Sequence, residues 1–377
     1  MQNFYTESIT WDLIFNLNSD ITLYVRHRGA AFRIYYRAHI LAASPSALKQ
    51  HHESYRILYK DDPDGECREM SDRLRKPFED LMTQIAPTPS TGSTGYLHSH
   101  LYPPWFILEA RVAKSGYMQP YFDGALSRQE FGRPGESINN VSLRPHLSPL
   151  LNSALNKYSS RQVQVLAQTS RLVPSKVLVD GTIYFFKPWN AGRDGYYELQ
   201  SYRKILADTE ASPPLLAGAR ICRLHGLVID NDDDVLQHYP LDSDEENYSG
   251  TRLVGLLLTY IENRGTLEDL APWSDCTNED RLRWSKQIHH SVECLHGAGV
   301  AWGDAKPDNV LVDMEGDAWL IDFGGSYTPG WVDEDKQETV EGDRQGVQRI
   351  DDWLTRWSRR PVTRIKRSGE EGGEGGV

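Results

Sequence analysis

The chain has 377 residues, with 41 lysines and arginines against 53 aspartates and glutamates, for a formal net charge of −12. That length suggests two or three domains, and 39% hydrophobic residues including 10 Trp, 19 Tyr and 10 Phe exclude a globally disordered chain. The excess of carboxylates argues against nucleic acid or an anionic membrane surface as partner.

The opening segment MQNFYTESITWDLIFNLNSD has no basic region and carries acids within its apolar stretch, so it does not read as a secretory leader. Residues 1–86 form a mixed region. Its clearest element is a helix over 67–85, with Met70, Leu74, Phe78, Leu81 and Met82 at three- or four-residue steps. Pro77 is expected to kink it or to start a new first turn. PTPSTGSTG at 87–95 reads as a linker, since it offers nothing to bury. Residues 87–150 are taken as linker plus a strand-containing segment, with WFILEARVA (105–113) as the strand and a turn-rich stretch over 122–148.

A third region is expected over 151–357. VPSKVLVDGTIYFFKP (173–188) reads as two strands joined by Asp180-Gly181, a strong hairpin signal. RDGYYELQSYRKIL (193–206) reads as a helix with Tyr197, Tyr202, Ile205 and Leu206 near one face. Strands follow at 221–229 and 253–261, separated by an acidic loop. A helix over 278–296 opens with Asn-Glu-Asp, which suits a capped, dipole-matched start. Residues 358–377, basic and then rich in Gly and Glu, are expected to be disordered. The four cysteines, Cys67, Cys222, Cys276 and Cys294, have no ligand-like spacing, so neither a zinc module nor a disulfide framework follows. The aspartates at 230–234 miss the glycine and the terminal glutamate of a calcium loop. No apolar run reaches the ~20 residues that a membrane span needs.

The chemistry concentrates in GVAWGDAKPDNVLVDMEGDAWLIDFGG (299–325). Asp304, Lys306 and Asn309 precede two short apolar runs split by Glu315-Gly316-Asp317, and Asp322-Phe323-Gly324 follows. This reads as loop, strand, turn and strand, which returns Asp322 close to Asn309. Phosphoryl transfer needs this inventory: a carboxylate to orient the attacking hydroxyl, a cation for the γ-phosphate, and an amide with a second carboxylate for Mg²⁺.

The segment resembles the catalytic loop and the following DFG triplet of protein kinases. The resemblance implies a fold class of α+β, a bilobal protein-kinase-like domain with a truncated C-lobe, preceded by the mixed N-terminal region. It implies ATP and Mg²⁺ as cofactors, with Asp304 and Lys306 catalytic and Asn309 and Asp322 metal-holding. Lys187, ending IYFFK, and Glu198, in the next helix, would be the phosphate-gripping lysine and its orienting partner. Leu258 would stand at the gatekeeper position, with Thr259, Tyr260, Ile261 and Glu262 at the adenine. Asp343 would brace the catalytic loop. The wording of LHGAGVAWGDAKPDNVLVD, AWLIDFGGSYTPGWVD and TVEGDRQG is similar to a group of filamentous-fungal protein-kinase-like proteins with no assigned substrate.

The departures carry information too. Trp302-Gly303 stands where the resemblance places His-Arg, so phosphorylation of the activation segment has no arginine there to dock on; Trp302 is expected to pack under the loop. Residues 163–176 contain no glycine, which leaves the phosphate-covering loop without its usual freedom of approach. Only 34 residues follow Asp343 (377 − 343), hence the small C-lobe expected. The leading expectation is a Ser/Thr protein-kinase-like phosphotransferase with an unidentified protein substrate, cytoplasmic or nuclear. A small-molecule kinase and a pseudokinase that binds nucleotide or a partner are the alternatives.

Overall fold

Two strands open the described chain, β1 (Ile21–His27) and β2 (Ala30–Tyr36), joined by Arg28-Gly29. Both turn residues have positive φ, 50° and 79°, and such a two-residue turn matches the right-handed twist of the strands it joins. The computed structural model describes residues 19–58, 66–86, 95–125, 136–137, 155–167, 175–190, 192–209, 211, 213–231, 251–271 and 276–358. The chain divides into two compact units: Met1–Arg144, Asn152–Trp189 and His225–Leu258, and Pro145–Leu151, Asn190–Leu224 and Thr259–Val377.

The first unit holds two sheets. In one, β1 and β2 continue through β3 (Trp105–Val112) and β4 (Met118–Ala125) in the order β1-β2-β3-β4. β2 and β3 are parallel, so the connection between them must cross over, and it does so through helices. These are α1 (Ala38–Leu41), α2 (Pro45–Leu58), α3 (Glu66–Arg75), α4 (Glu79–Ile85) and α5 (Leu97–Leu101). Ile21, Leu23, Val25, Phe32, Ile34 and Leu108 form one core with Leu41, Leu58, Met70, Leu74, Phe78 and Met82 from the helical segments. The helix expected over 67–85 is interrupted at Lys76–Phe78 by a tight turn containing Pro77, whose ring removes a donor from the ladder. The sheet's opposite face carries Tyr24, Arg33, Tyr35, Glu109 and Arg111. There Glu109, 1% exposed, is held by Arg37 at 2.8 Å and Arg111 at 2.7 Å, the pairing that a buried carboxylate requires.

The second sheet runs β6 (Asn156–Tyr158), β10 (Leu224–Asn231), β11 (Thr251–Thr259), β9 (Thr182–Pro188), β8 (Lys176–Val179) and β7 (Gln164–Ala167), with β5 (Glu136–Ser137) also on β11. The Asp180-Gly181 hairpin forms as expected, with Val179 opposite Thr182. Val177, Val179, Phe186, Val254 and Leu257 share a core with Leu97 and Leu101 of α5. Buried Asp230 ties β10 to the turn after β6 and to the end of α5, accepting from Tyr102 Oη at 3.0 Å, Ser159 Oγ at 3.1 Å and the Ser160 N–H at 2.8 Å.

The second unit is helix-rich: α6 (Arg193–Thr209), α7 (Leu267–Leu270), α8 (Asn278–Gly297) and α9 (Val340–Ser358), with a small sheet of β12 (Asn263–Thr266), β13 (Val310–Asp313) and β14 (Ala318–Leu320). The buried face of α6 is Tyr196, Leu199, Tyr202 and Ile205; Tyr197 and Leu206, expected on that face, are half-buried at its margins. α8 is capped by Thr277 and not by Asn278. The Thr277 hydroxyl accepts from the Asp280 N–H at 3.1 Å and the Asp280 carboxylate accepts from the Thr277 N–H at 3.0 Å, a reciprocal box that Asn-Glu-Asp alone could not close. The molecule is mixed α+β, as expected; it is strand-rich first and helix-rich later, and β1 and β2 lie within the stretch 1–86 that was expected to be a mixed helical region. The linker over 87–94, the phosphate-loop stretch 168–174, Ser170, Glu210, most of the acidic loop (232–250) and the tail 359–377 lie outside the described residues.

Phe78 is 1% exposed, and its ring meets Tyr36 edge-on at 5.9 Å. Phe78→Ala should cost about 3–5 kcal/mol in chemical unfolding, as for other buried aromatics, whereas Tyr117→Ala, at a side chain 78% exposed, should change stability by less than about 0.5 kcal/mol.

Candidate active site

The segment expected to carry the chemistry lies wholly in the second unit. β13 and β14 pair in antiparallel register with Val310 opposite Leu320 and Val312 opposite Ala318, turning at Glu315-Gly316. The Ile321 N–H then donates to the Asn309 carbonyl at 3.0 Å, so the hairpin returns the chain beside Asn309 just before Asp322. Asn309 itself ends a short 3-10 turn, Pro307–Asn309. Pro307 suits that position because the first turn of a helix has no use for its missing N–H.

Around Asp304, which is buried, three side chains close a ring. Lys306 Nζ is 2.7 Å from Asp304 Oδ2. Asn309 Nδ2 donates to the Asp304 backbone oxygen at 2.9 Å and to its Oδ2 at 3.2 Å. Thr328 Oγ1 donates to Asp304 Oδ1 at 3.0 Å and accepts from Lys306 Nζ at 2.9 Å. Both carboxylate oxygens are thereby satisfied, which a charge at this depth demands. Thr328 was not singled out from sequence. It lies six residues past Asp322 in a segment with no periodic pattern, and only the folded loop brings it to Asp304.

The loop that carries Asp304 is held from beneath. Asp343 on α9, 1% exposed, accepts from the Trp302 N–H at 2.7 Å, from the Gly303 N–H at 2.8 Å and from His296 Nε2 at 2.8 Å. Trp302 is fully buried and its indole N–H donates to the Ile321 carbonyl at 2.9 Å, which ties the loop to the residue before Asp322. Trp302 therefore packs under the loop as expected.

Asp322 has a φ of 60° and is exposed, whereas Phe323 is fully buried and meets Tyr202 of α6 edge-on at 5.6 Å. A non-glycine residue at positive φ stores strain that the surroundings must hold; here it separates an outward carboxylate from an inward ring. Burial holds the Tyr202 hydroxyl protonated, its pKa pushed well above the ordinary value. Glu198, one turn before Tyr202, is buried. Lys187 and Leu258 belong to the first unit, Lys187 half-buried near the end of β9 and Leu258 buried on β11. Thr259 exchanges hydrogen bonds with Arg223: its N–H donates to the Arg223 carbonyl at 2.9 Å and its Oγ1 accepts from the Arg223 N–H at 3.0 Å. The Ile261 carbonyl accepts from Asn263 Nδ2 at 2.8 Å. Tyr260 between them is half-buried, past the end of β11.

Beside Lys306 lies a second acidic feature that the sequence reading missed. Glu268, in the first turn of α7, is pushed up to about 7 by a hydrogen bond shared with Asp308, with desolvation and the neighbouring carboxylates adding to the effect and Lys306 opposing it.

No family model matches the chain. Among curated proteins, it is 28% identical over 149 residues to the serine/threonine-protein kinase PKH3 of Eremothecium gossypii, covering 35% of this chain and 20% of that one. It is 34% identical over 70 residues to the cAMP-dependent protein kinase catalytic subunit PRKX of Mus musculus, covering 19% and 17% of the two chains. It is 39% identical over 59 residues to CBL-interacting protein kinase 16 of Oryza sativa subsp. japonica, covering 16% and 13%. The chain thus spans a fifth or less of the length of these relatives. Part of the sequence is related to protein kinases, and the α+β fold is of the kinase-like class. Among the described residues no helix is long and apolar enough to cross a membrane, and no three His, Cys, Asp or Glu side chains are grouped to hold a metal ion.

Asp343→Asn keeps the volume but replaces one acceptor oxygen by a donor, leaving a buried N–H of Trp302 or Gly303 or the His296 ring without its partner. It should lower unfolding free energy by about 1–3 kcal/mol, measured by urea denaturation. For Glu268 the sign follows from linkage. Its pKa in the folded state lies above the ordinary carboxylate value of 4.5, so between the two values the folded state binds the extra proton and stability falls as pH rises from about 4.5 to about 7. Glu268→Gln should flatten that part of the stability–pH curve.

Proposed function

We propose that the protein is an ATP- and Mg²⁺-dependent phosphotransferase acting on Ser or Thr hydroxyls of a protein substrate. The observation that carries this is the closed ring of Asp304, Lys306, Asn309 and Thr328, with Asp322 brought alongside by the β13–β14 hairpin. Phosphoryl transfer asks a protein for positioning and charge stabilisation more than for covalent chemistry. A carboxylate whose two oxygens are fixed by a lysine, an amide and a hydroxyl is suited to that.

The residues fit the cofactors. With Nδ2 of Asn309 committed to Asp304, the amide presents its oxygen to a cation. Asp322 adds a second hard oxygen donor. Mg²⁺ is commonly held by one or two carboxylates together with substrate phosphates and not by a protein cage, and Asp322 with the Asn309 oxygen is a donor set of that size. Bound Mg·ATP would supply the transferable phosphoryl group and the cation that masks its charge.

Asp304 would orient the acceptor hydroxyl and hold its proton. Lys306 would meet the γ-phosphate, releasing Thr328, whose hydroxyl keeps the Asp304 carboxylate in one rotamer. Lys187 would grip the inner phosphates with Glu198 as its partner, and Leu258, Thr259, Tyr260 and Ile261 would line the base, the Thr259 N–H remaining with Arg223. These assignments rest on the motif order and on the resemblance. A cytoplasmic or nuclear setting, where protein kinases act, goes with this reading.

The test pairs Mg·ATP-dependent thermal shift with phosphate transfer to a Ser/Thr peptide array. Wild type should show both. Asp304→Asn should keep the shift and lose about 10²–10⁴-fold in turnover, the range of a positioned general base, while Asp322→Asn should lose the Mg²⁺-dependent part of the shift. A wild-type shift without transfer would point to a nucleotide-binding pseudokinase, and transfer to small alcohols but not peptides to a small-molecule kinase. No shift at all would overturn the reading.

A further inference from the structure

α6 begins at Arg193, and its first turn lies on the glycines that follow Asp322. A Cβ at Gly325 would come within 2.9 Å of Tyr197 Cδ1 and of Cγ and Oε1 of Glu338. One at Gly303 would come within 2.9 Å of Gly325 Cα and 3.4 Å of Tyr197 Cε1. The bare α-carbons of Gly303 and Gly325 are what allow the two glycines, Tyr197 and Glu338 to approach this closely.

Three bonds converge on Glu338. Its Oε2 accepts from Arg193 Nη2 at 2.8 Å, its Oε1 accepts from the Ser326 N–H at 3.3 Å, and its backbone oxygen accepts from the Tyr197 hydroxyl at 3.3 Å. The Glu338 side chain is 15% exposed although Arg193 is 67% exposed, and Glu338 has a φ of 59°. An ion pair to so exposed an arginine would by itself contribute little. A mostly covered carboxylate in a strained backbone position, bonded to two separate segments, is a different matter: such a conformation persists only where its surroundings over-determine it. The Tyr197 hydroxyl stays a donor, burial pushing it up to about 12 with the carboxylates of Asp343 and Glu338 adding to the effect.

The geometry points to Glu338 as a positioning residue: a permanent carboxylate that clamps the segment 322–328 to the first turn of α6, in place of a charge that phosphorylation would otherwise have to add. Phosphorylation orders a loop by giving a guanidinium a new anion to bind. Here the anion is built in, its guanidinium comes from Arg193, and the position before Asp304, where a second guanidinium could stand, is Gly303, which the contact with Gly325 requires to be bare. The clamp sets the distance between Glu198 on α6 and the residues that follow Asp322. Its catalytic consequence rests on the phosphotransferase reading; its structural part does not.

The experiment is a neutralising double-mutant cycle on the full chain, Glu338→Gln, Arg193→Gln and the pair, read by amide hydrogen exchange and by steady-state kinetics with Mg·ATP. Exchange in peptides spanning 193–200 and 322–328 should quicken about five- to tenfold in Glu338→Gln, consistent with losing one charge-assisted and one backbone bond, with other peptides unchanged. The double variant should be no worse than Glu338→Gln alone. kcat should fall by a similar factor while KM for ATP moves less than about twofold, and phosphatase treatment of wild type should leave kcat unaltered. Unchanged exchange in Glu338→Gln, additive effects of the two substitutions, or loss of activity on phosphatase treatment would each overturn the clamp. Wild type that transfers no phosphate while its exchange responds as expected would instead overturn the phosphotransferase reading and leave the clamp standing.

Discussion

One buried carboxylate supports the candidate site. Asp343 sits on α9 and takes hydrogen bonds from two consecutive N–H groups of the loop that carries Asp304, and from a histidine on α8. The loop has no ladder of its own between Gly299 and Lys306, so its backbone donors must find acceptors elsewhere or be left unpaired at a cost. A helix that ends the described chain thereby fixes a residue almost forty positions earlier. Everything built on the loop inherits that position: the Asp304 ring, the indole bond from Trp302 to Ile321, and through Ile321 the start of the segment that holds Asp322.

The same logic of satisfied polar groups runs outward from there. Asp304 is buried, yet each of its oxygens has a donor; Asn309 bridges its main chain and side chain at once. Networks of this kind are costly when incomplete and specify one arrangement when complete. Hydrophobic packing joins them at one side: Phe323 against Tyr202 links the turn after Asp322 to α6, the helix that also carries Glu198. Polar and apolar contacts therefore act on the same few residues, and neither alone would hold a non-glycine Asp322 at positive φ.

Much of this was legible in the sequence because it is local. Asp304, Lys306, Asn309 and Asp322 fall within nineteen positions, and the only long-range inference needed among them was a hairpin with an obvious turn. Thr328 was not legible, since the chain from Asp322 to Glu338 has no period and bends at five positions of positive φ that are not all glycine, among them Asp322, Ser326 and Glu338. Of the first sheet only β3 was legible, as the strand expected over 105–113, and the rest was hidden for a different reason. Arg28-Gly29 is a weaker turn signal than Asp180-Gly181, and the parallel partners β2 and β3 are separated by almost seventy residues, which no local pattern can join. The cap of α8 was misplaced by one residue because Asn278 and Thr277 are both good caps, and only the reciprocal bond from Asp280 decides between them.

Trp302 carries a further consequence. The bond it makes to the Ile321 carbonyl uses an indole N–H, a donor that neither gains nor loses a proton anywhere near physiological conditions. An imidazole at the same place would need one tautomer to make that bond and would change charge close to neutrality. The footing of the loop that carries Asp304 on the chain before Asp322 is for that reason insensitive to acidification, and any response of this protein to pH has to enter through other groups.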